Sequence, residues 1–444
     1  MREETGRVDH DLRHTSRRAA KTPSIARHGR LSSHSTWKTL AKVAASLLAV
    51  VLVSGGAVAS YAAWDLAKTV QPTVTLGNES VLEGVPDVGA IEGGVNLLII
   101  GSDSRQGQGM AFGDPAEETA VLNDVTMLMH IAEDHTHTSV ISFPRDMLVD
   151  VPACTDPNDP TGEPLSEQYG VKINTVLSYG GMPCVVKTVE QLTGVTIPFA
   201  GIVQFLGVAG MSEAVGGVDV CVAEKIEDEY TGTFLDPGTH TLSGMAALQF
   251  LRTRHGVGDG SDLGRISNQQ VFLSALARKL QADGTFTDPV RLYSIAKAAL
   301  ANMQLSDSLM DATRMISIAK ALKDIDLAKI AFIQYPTGYV DGGGAVAPTD
   351  SAQIVNQALQ QDIPVVFDTA AQADSAFASA VDPNAQAPAP ADPAATDAAT
   401  DPAATDAAAD PAAPAPTVEA LPSDVSGQTA AETRCSAGRS LEDQ

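Results

Sequence analysis

The chain has 444 residues, a formal net charge of −25 and a sequence pI of about 4.6. This length allows one large domain or two ordinary ones with a sizeable core, and so acidic a chain disfavours nucleic acid as a partner. The charge is uneven: residues 1–42 carry a net charge of +6, residues 43–368 a net charge of −21, and residues 369–444 a net charge of −10. Since the central part repels anions at long range, any anion site must be built from locally gathered cations.

An uncharged stretch follows the basic amino terminus. Residues 43–64 contain no charged side chain over 22 positions, close to the roughly 20 residues that cross a bilayer as a helix. Basic residues precede this stretch and Asp65 follows it. The positive-inside rule therefore predicts a single-pass signal anchor in the cell membrane, with residues 1–42 in the cytosol and the rest outside. Ala57-Val58-Ala59 resembles a signal-peptidase site, which leaves a cleaved signal peptide as the alternative.

Four cysteines suit an exported domain in an oxidising compartment. Two of Cys154, Cys184 and Cys221 are expected to pair. The pair Cys154–Cys184 is preferred because both residues flank a loop that looks inserted, and three unpaired buried thiols are the alternative. Cys435, in the tail, is a candidate free thiol, and no role is assigned to it.

Strand-like and helix-like segments alternate after the anchor. Residues 65–94 are interpreted as a stalk or a first packing layer, and three strands are then predicted at VNLLIIGSDSR, DVTMLMHIA and TSVISFPRDMLVDV. Residues 152–170 form a loop rich in Pro, Asp and Gly. Helical spacing begins at residue 172, and later helices are predicted at 262–282, 287–303, 306–323 and 349–360. This alternation predicts a layered α/β domain of about 300 residues.

Two further segments carry expectations about order and exposure. His130, His135 and His137 have no Cys/His spacing typical of zinc around them, so we expect them on a solvated strand end. From residue 369 onward Ala, Pro and Asp dominate, and this composition predicts a disordered acidic tail over residues 369–444.

Arginine is concentrated at the predicted strand ends. Of only eight arginines between residues 43 and 368, three fall on helices with outer faces expected to be wet: Arg278, Arg291 and Arg314. The other five lie at strand ends or around the Gly/Asp/Ser-rich turn: Arg105, Arg145, Arg252, Arg254 and Arg265. Asp103 lies beside Arg105, and Asp124 opens the next strand. Arginines gathered around two carboxylates predict a pocket for a di-anionic phosphate with Mg²⁺, and ordinary surface salt bridges are the alternative.

Six blocks of sequence resemble, in order, the motifs of the LytR-CpsA-Psr family: NLLIIGSDSR, SFPRDMLVDVP, KINTVLSYGG, AVGGVDVCV, LSGMAALQFLRTRHG and DLGRISNQQ. The resemblance covers about residues 95–283. It implies an α/β/α sandwich with a central mixed sheet and a hydrophobic channel for a lipid, in a catalytic domain assigned to residues 95–368. It also implies an extracytoplasmic, Mg²⁺-dependent phosphotransferase. Such an enzyme moves a glycopolymer phosphate from a polyprenyl-pyrophosphate carrier to peptidoglycan through a phosphodiester link.

The same resemblance implies the roles of individual residues. Asp103 and Asp124 would hold Mg²⁺ against the pyrophosphate, with Arg105 orienting it. Five residues would clamp the phosphates: Arg145, Arg252, Arg254, Arg265 and Gln269. Three more would support or position the substrate: Lys172 and Asn174 of the KIN block, and Asp262. The general base is left open among Asp103, Asp124 and Asp262.

Leu122 departs from the family pattern. Members often carry an arginine in the block that here reads Leu122-Asn123-Asp124-Val125, so one expected pyrophosphate contact is missing. Arg105 is the candidate replacement. Two other functions stay open. One is a polyprenyl-pyrophosphate pyrophosphatase, in which water replaces the acceptor hydroxyl. The other is a non-catalytic module that binds the lipid carrier or has a regulatory role.

Overall fold

The computed structural model describes residues 36–69, 71–83, 91, 94–108, 112, 114, 116, 117, 119, 121–157, 159–285, 288–340, 342–367 and 418–444. Residues 1–35 and 368–417 lie outside the described residues, so the cytosolic segment and the disorder proposed for 369–417 stay predictions. The chain divides into two compact units, residues 1–61 and 62–444.

The described residues form helices and strands in alternation. The helices are α1 (Thr36–Thr69), α2 (Val176–Thr193), α3 (Phe205–Ala214), α4 (Met245–Arg252), α5 (Asp262–Ala282), α6 (Pro289–Asn302), α7 (Ala312–Lys323) and α8 (Ser351–Gln360). The strands are β1 (Val95–Ser102), β2 (Asn123–Ile131), β3 (Thr138–Phe143), β4 (Leu148–Val151), β5 (Gln168–Lys172), β6 (Phe199–Val203), β7 (Val218–Val222), β8 (Ile226–Asp228), β9 (Thr233–Leu235), β10 (Gly238–Leu242), β11 (Met303–Leu305), β12 (Ile330–Gln334), β13 (Thr337–Tyr339), β14 (Val346–Pro348), β15 (Val365–Val366), β16 (Glu419–Ala420), β17 (Gly427–Thr429) and β18 (Cys435–Ser436).

Helix α1 is long and apolar enough to cross a membrane. Its segment Thr36–Leu66 has a mean hydropathy of 2.1 and is not buried in the protein, and it is the one such helix among the described residues. The helix extends past the predicted 43–64 at both ends, because the polar flanking residues are compatible with helical backbone hydrogen bonding.

Seven strands form the central sheet in the order β11-β6-β1-β2-β3-β12-β17. Strand β1 pairs antiparallel with β2 and parallel with β6, so the sheet is mixed, as predicted. The run VNLLII is apolar at nearly every position because side chains on both sheet faces pack into hydrophobic cores, although Leu97 and Ile99 are only partly buried. Leu98 and Ile100 pack into a core shared with α2 and α8, whereas Leu97 and Ile99 face a core shared with α6 and α7. The molecule is therefore an α/β/α sandwich.

The segment after the anchor packs against the domain. Leu76 and Leu82 are buried in the cores on the two sheet faces. Val74 forms an isolated parallel bridge with Ser306, next to β11. Residues 71–83 thus form a packing layer rather than a free stalk.

The Cys154–Cys184 disulfide forms as predicted and joins the inserted loop to α2. A Cβ atom at Gly180 would lie 2.6 Å from the Cβ atom of Cys184 and 3.3 Å from that of Cys154. Glycine at this position therefore leaves room for the bridge. The loop predicted at 152–170 ends earlier than expected, because β5 begins at Gln168 and pairs with β4.

The carboxyl-terminal segment 418–444 is ordered, which corrects the disorder predicted up to residue 444. Strand β17 pairs antiparallel with β12 at the sheet edge, and β18 pairs parallel with β7. Cys435 is bonded to Cys221, so it is not a free thiol. The prediction failed because the Ala/Pro/Asp-rich composition ends before this segment, whose residues Leu421 and Val425 are buried in the main core.

Helix α5 binds this carboxyl-terminal segment. Arg278 Nη1 donates to the carbonyl oxygens of Ala430 and Glu432, at 2.8 and 2.7 Å. The expectation that Arg278 faces solvent was therefore wrong. Its guanidinium donates to backbone carbonyls of the carboxyl-terminal segment, and the helical periodicity of α5 does not predict where that segment packs. The buried Gln428 donates through Nε2 to the carbonyl oxygen of Gln270, at 2.9 Å.

Candidate active site

The predicted arginines and aspartates meet at one end of the central sheet. The register pairs Ser102, at the end of β1, with Asn123, at the start of β2. Phe143, at the end of β3, pairs with Thr126 of β2. Because β2 runs antiparallel to both neighbours, the segments that carry Asp103, Asp124 and Arg145 lie side by side.

Asp103 is held by the backbone of Leu122. Its Oδ1 atom accepts a hydrogen bond from the Leu122 N–H at 2.7 Å, and its own N–H donates to the Leu122 carbonyl at 3.2 Å. Burial raises the pKa of Asp103, and the nearby charge of Asp124 raises it further. Two neighbouring carboxylates are a donor set suited to a hard cation such as Mg²⁺.

A network of charges joins the start of β2 to the start of α5. Arg145 Nη1 lies 2.6 Å from Asp124 Oδ1, and the Arg145 N–H donates to Asp262 Oδ2 at 3.0 Å. Arg265 Nη2 lies 2.5 Å from Asp262 Oδ1 and 2.6 Å from the Asp124 carbonyl oxygen. Although burial alone would lower it, the pKa of Arg145 is raised by Asp124 and Asp262. Asp262 therefore positions two arginines at once.

Arg252 and Arg254 extend from the end of α4 toward the same cluster. The Arg252 guanidinium stacks over the Phe205 ring, with its central carbon 4.3 Å from the ring centroid. The Arg254 backbone N–H is fixed by Asp228 Oδ2 at 3.0 Å. Burial lowers the pKa of both arginines, and repulsion by neighbouring arginines, among them Arg265, lowers it further. Neither guanidinium has a carboxylate within ion-pair distance among the described residues.

The remaining predicted residues lie around this cluster with partners of their own. Lys172 Nζ lies 2.7 Å from Asp146 Oδ1. The Asn174 N–H donates to the Arg145 carbonyl at 3.2 Å. Arg105 lies in the turn after β1, where its charge acts on both Asp103 and Arg252.

Gln269 makes a different contact from the phosphate contact that the family resemblance implies. It lies one helical turn after Arg265, but its Nε2 atom donates to the carbonyl oxygen of Leu251 at 3.1 Å and the residue is buried. In the structure Gln269 therefore attaches α5 to the end of α4. A direct contact between Gln269 and phosphate stays a prediction.

Sequence reasoning missed two residues that hold the cluster. Asp228 is fully buried, and its other oxygen accepts from the N–H groups of Tyr230 and Thr231. Phe205 begins α3 and supports Arg252. An aspartate before a polar turn and a phenylalanine at a helix start are common features, so neither carried a signal.

The chain belongs to the LytR_cpsA_psr family, whose model matches residues 65–362. The matched region contains all of the charged cluster, and the LytR-CpsA-Psr resemblance of the six sequence blocks is confirmed.

Curated relatives include proteins of cell-wall synthesis. The chain is 26% identical over 302 residues to the cell wall biosynthesis protein LcpA of Corynebacterium glutamicum, covering 62% of this chain and 56% of LcpA. It is 30% identical over 243 residues to the probable cell wall biosynthesis protein LcpB of the same organism, covering 53% and 54%. It is 26% identical over 313 residues to TagT of Bacillus subtilis, a polyisoprenyl-teichoic acid–peptidoglycan teichoic acid transferase, covering 68% and 88%. The chain thus spans about half the length of LcpA and LcpB.

Solved structures of similar chains include a LytR-Csp2A-Psr enzyme from Actinomyces oris, with 20% identity and a TM-score of 0.47. That match covers 60% of this chain and 90% of the other. The crystal structure of B. subtilis TagT has 22% identity and a TM-score of 0.43, covering 65% and 99%.

Proposed function

We propose that this chain transfers a glycopolymer phosphate from a polyprenyl-pyrophosphate carrier to peptidoglycan. The observation that carries the proposal is the pair Arg252 and Arg254. Both guanidiniums are partly buried, lack a carboxylate partner among the described residues and lie beside the Arg145–Asp124 ion pair. A pyrophosphate brings the negative charge that such guanidiniums bind in two-pronged geometry.

The chemistry follows from where these charges lie. The acceptor hydroxyl gives its proton to one of the candidate bases Asp103, Asp124 and Asp262, and its oxygen attacks the phosphorus that bears the glycan. The bridging P–O bond breaks, and polyprenyl phosphate leaves. Arg252, Arg254 and Arg265 stabilise the charge that develops on the leaving phosphate. Asp262 keeps Arg145 and Arg265 in place, because its Oδ2 atom accepts from the Arg145 N–H and its Oδ1 atom forms an ion pair with Arg265 Nη2.

Asp103 and Asp124 are the residues that would hold Mg²⁺. Their carboxylates fit this ion, which takes one or two protein carboxylates and completes its shell with phosphate oxygens and water. When bound, Mg²⁺ would neutralise negative charge on the pyrophosphate. Leu122 contributes by orienting Asp103 through its backbone.

The lipid part of the substrate matches one face of the sheet. Leu97, Ile99, Val125 and Met129 lie on the two central strands β1 and β2, yet they are only partly buried. Apolar side chains in the middle of a seven-stranded sheet are fully covered when a helix layer is complete. This face is therefore suited to a polyprenyl chain. Helix α1, with the cytosolic amino terminus predicted from its basic flank, would keep the domain at the outer surface of the membrane.

The test is an analysis of reaction products. Full-length protein in detergent is incubated with a polyprenyl-pyrophosphate glycan, with and without Mg²⁺ and peptidoglycan fragments, and the products are followed by mass spectrometry. We expect an acceptor-dependent phosphodiester product whose rate falls at least about 100-fold in Asp124→Asn. The exposed Asp236 provides the matched control, and Asp236→Asn should retain the wild-type rate.

Two outcomes would contradict the proposal. Release of polyprenyl phosphate without an acceptor product would identify a pyrophosphatase. Tight binding of the lipid with no product under any condition would identify a binding or regulatory module.

A further inference from the structure

Two histidines and an aspartate converge at the other end of the sheet from the arginine cluster. His130 lies on β2, His137 directly precedes β3, and Asp362 follows α8. His130 pairs with Asn96 of β1, which is seven residues, or about 23 Å of strand, from Asp103. Nothing in the phosphotransfer chemistry uses this cluster.

The solvated strand end expected for three histidines was wrong for His130 and His137, whereas His135 is partly exposed in the turn between β2 and β3. His130 is 1% exposed and His137 is 4% exposed. Asp362, two residues after the end of α8, covers them, because its Oδ1 atom lies 3.0 Å from His130 Nε2 and 3.8 Å from His137 Nε2. A contact between residues 232 positions apart leaves no local signal in the sequence.

Hydrogen bonding assigns the proton on the His130 ring. The Asn96 side chain donates through Nδ2 to the Thr196 carbonyl at 2.9 Å, so its Oδ1 atom faces His130 Nδ1, also at 2.9 Å. His130 Nδ1 therefore carries the hydrogen, and a neutral ring directs its Nε2 lone pair at Asp362 Oδ1. Two acceptors facing each other at 3.0 Å in a buried place need a positive charge between them.

His137 decides which positive charge fits. Its Nε2 atom is buried and has no hydrogen-bond partner among the described residues, although it faces the same Asp362 oxygen. A proton on His130 would leave His137 Nε2 unsatisfied, whereas a metal ion accepts both lone pairs. The three ligand atoms lie within 4.8 Å of one another. Ligands about 2.0–2.1 Å from a tetrahedral zinc ion are separated by roughly 3.3 Å. The distances from Asp362 Oδ1 to the two Nε2 atoms, 3.0 and 3.8 Å, lie on either side of this value.

We propose that His130 Nε2, His137 Nε2 and Asp362 Oδ1 bind one Zn²⁺ ion, with water in the fourth position. Two imidazoles favour zinc over Mg²⁺ or Ca²⁺, and the partly exposed Asp362 leaves a side open to water. The surroundings orient the ligands as metal sites require: Asn96 holds His130, and the Glu133 N–H donates to Asp362 Oδ2 at 3.0 Å. The ion would fasten the end of α8 to the β2–β3 turn.

The experiment measures zinc on the full-length protein without a histidine tag. The protein in detergent is stripped with EDTA and dialysed against ZnSO₄, and bound metal is counted by plasma mass spectrometry. We expect His137→Gln to bind one zinc fewer than the wild type. His240→Gln is the matched control, because His240 lies on β10 outside the cluster, and it should bind as much as the wild type. The wild-type melting temperature should rise by about 5 °C at a zinc concentration roughly 100-fold above Kd, and that of His137→Gln should not.

A second variant separates loss of the ligand from loss of the fold. Asp362→Asn replaces a partly exposed carboxylate by a group of the same size and should also lose one zinc while keeping the wild-type circular dichroism spectrum. Bound Co²⁺ should give a visible absorption band in the wild type that both variants lack. Equal zinc in the wild type, His137→Gln and Asp362→Asn would overturn the proposal, as would a wild type that binds none.

Discussion

At the scale of single residues, Leu122 acts on the site through its backbone. The family resemblance implies an arginine where this chain has Leu122, and the Leu122 backbone makes both hydrogen bonds that orient Asp103. The same site contains Arg105 and Arg252, whose charges repel one another. The pyrophosphate contact expected to be missing at Leu122 therefore stays a prediction, while Asp103 is oriented by the backbone of residue 122 and not by its side chain.

The Asp146–Lys172 pair makes a prediction about acid stability. Burial tends to raise the pKa of Asp146, but the hydrogen bond from Lys172 and the charge of Arg145 outweigh it, so the pKa is lowered. A carboxyl with a lowered pKa stabilises the folded state above its unfolded pKa, about 4, and loses that contribution as the pH falls through its folded pKa. Asp146→Asn should therefore reduce the free energy of unfolding more at pH 6 than at pH 3, as measured by urea denaturation.

The exposed Asp236 again provides the control. Asp236→Asn should change the free energy of unfolding little, and equally, at the two pH values. An Asp146→Asn effect of the same size at pH 6 and pH 3 would contradict the assignment of this ion pair.

At the scale of elements, the carboxyl-terminal segment secures the loop between α4 and α5. The Gly258 N–H donates to the Ala437 carbonyl at 3.0 Å, and the Arg439 N–H donates to the Gly256 carbonyl at 2.8 Å. This loop connects Arg254 to Arg265. The segment lies outside the residues matched by the family model, which end at 362, so the contacts that secure this loop come from beyond the matched region.

The two disulfides should differ in their contribution to stability. The Cys221–Cys435 bridge closes a separation of 214 residues, and Cys154–Cys184 closes one of 30. In the chain-entropy model these loops correspond to about 5 and about 3.5 kcal/mol at 25 °C. Replacing Cys221 and Cys435 by serine should therefore lower the free energy of unfolding more than replacing Cys154 and Cys184, as measured by denaturant titration. The opposite order would show that the carboxyl-terminal segment is not secured by its bridge.

Local patterns predicted the helices better than the distant pairings. Helix α5 runs over Asp262–Ala282, as its spacing indicated, because Ser261 accepts from the Leu263 N–H at its start. Strand β17 was missed because Gly427–Thr429 is short and polar, and it is a strand only through pairing with β12. The loop-to-α2 disulfide could be predicted because both cysteines flank one loop, whereas Cys221 and Cys435 share no local feature.

At the scale of the whole molecule, the central sheet separates two groups of charges. The arginine–aspartate cluster lies at the end of β1 that leads to Asp103, and the His130–His137–Asp362 cluster lies at the opposite end. The first was predictable from the sequence, because arginines are rare in this acidic chain and occur after strands. The second was not, because its ligands meet only when α8 reaches the β2–β3 turn.

The most direct test of the proposed phosphotransfer site is the rate of glycopolymer transfer by Arg254→Ala. The Arg254 guanidinium has no carboxylate partner among the described residues, so its removal should cost transition-state stabilisation while leaving the fold intact. We expect kcat/KM for transfer to fall by about 10²–10³-fold. Arg314→Ala, on α7 and outside the cluster, should remain within about twofold of the wild type. A wild-type transfer rate in Arg254→Ala would contradict the assignment of this cluster as the phosphotransfer site.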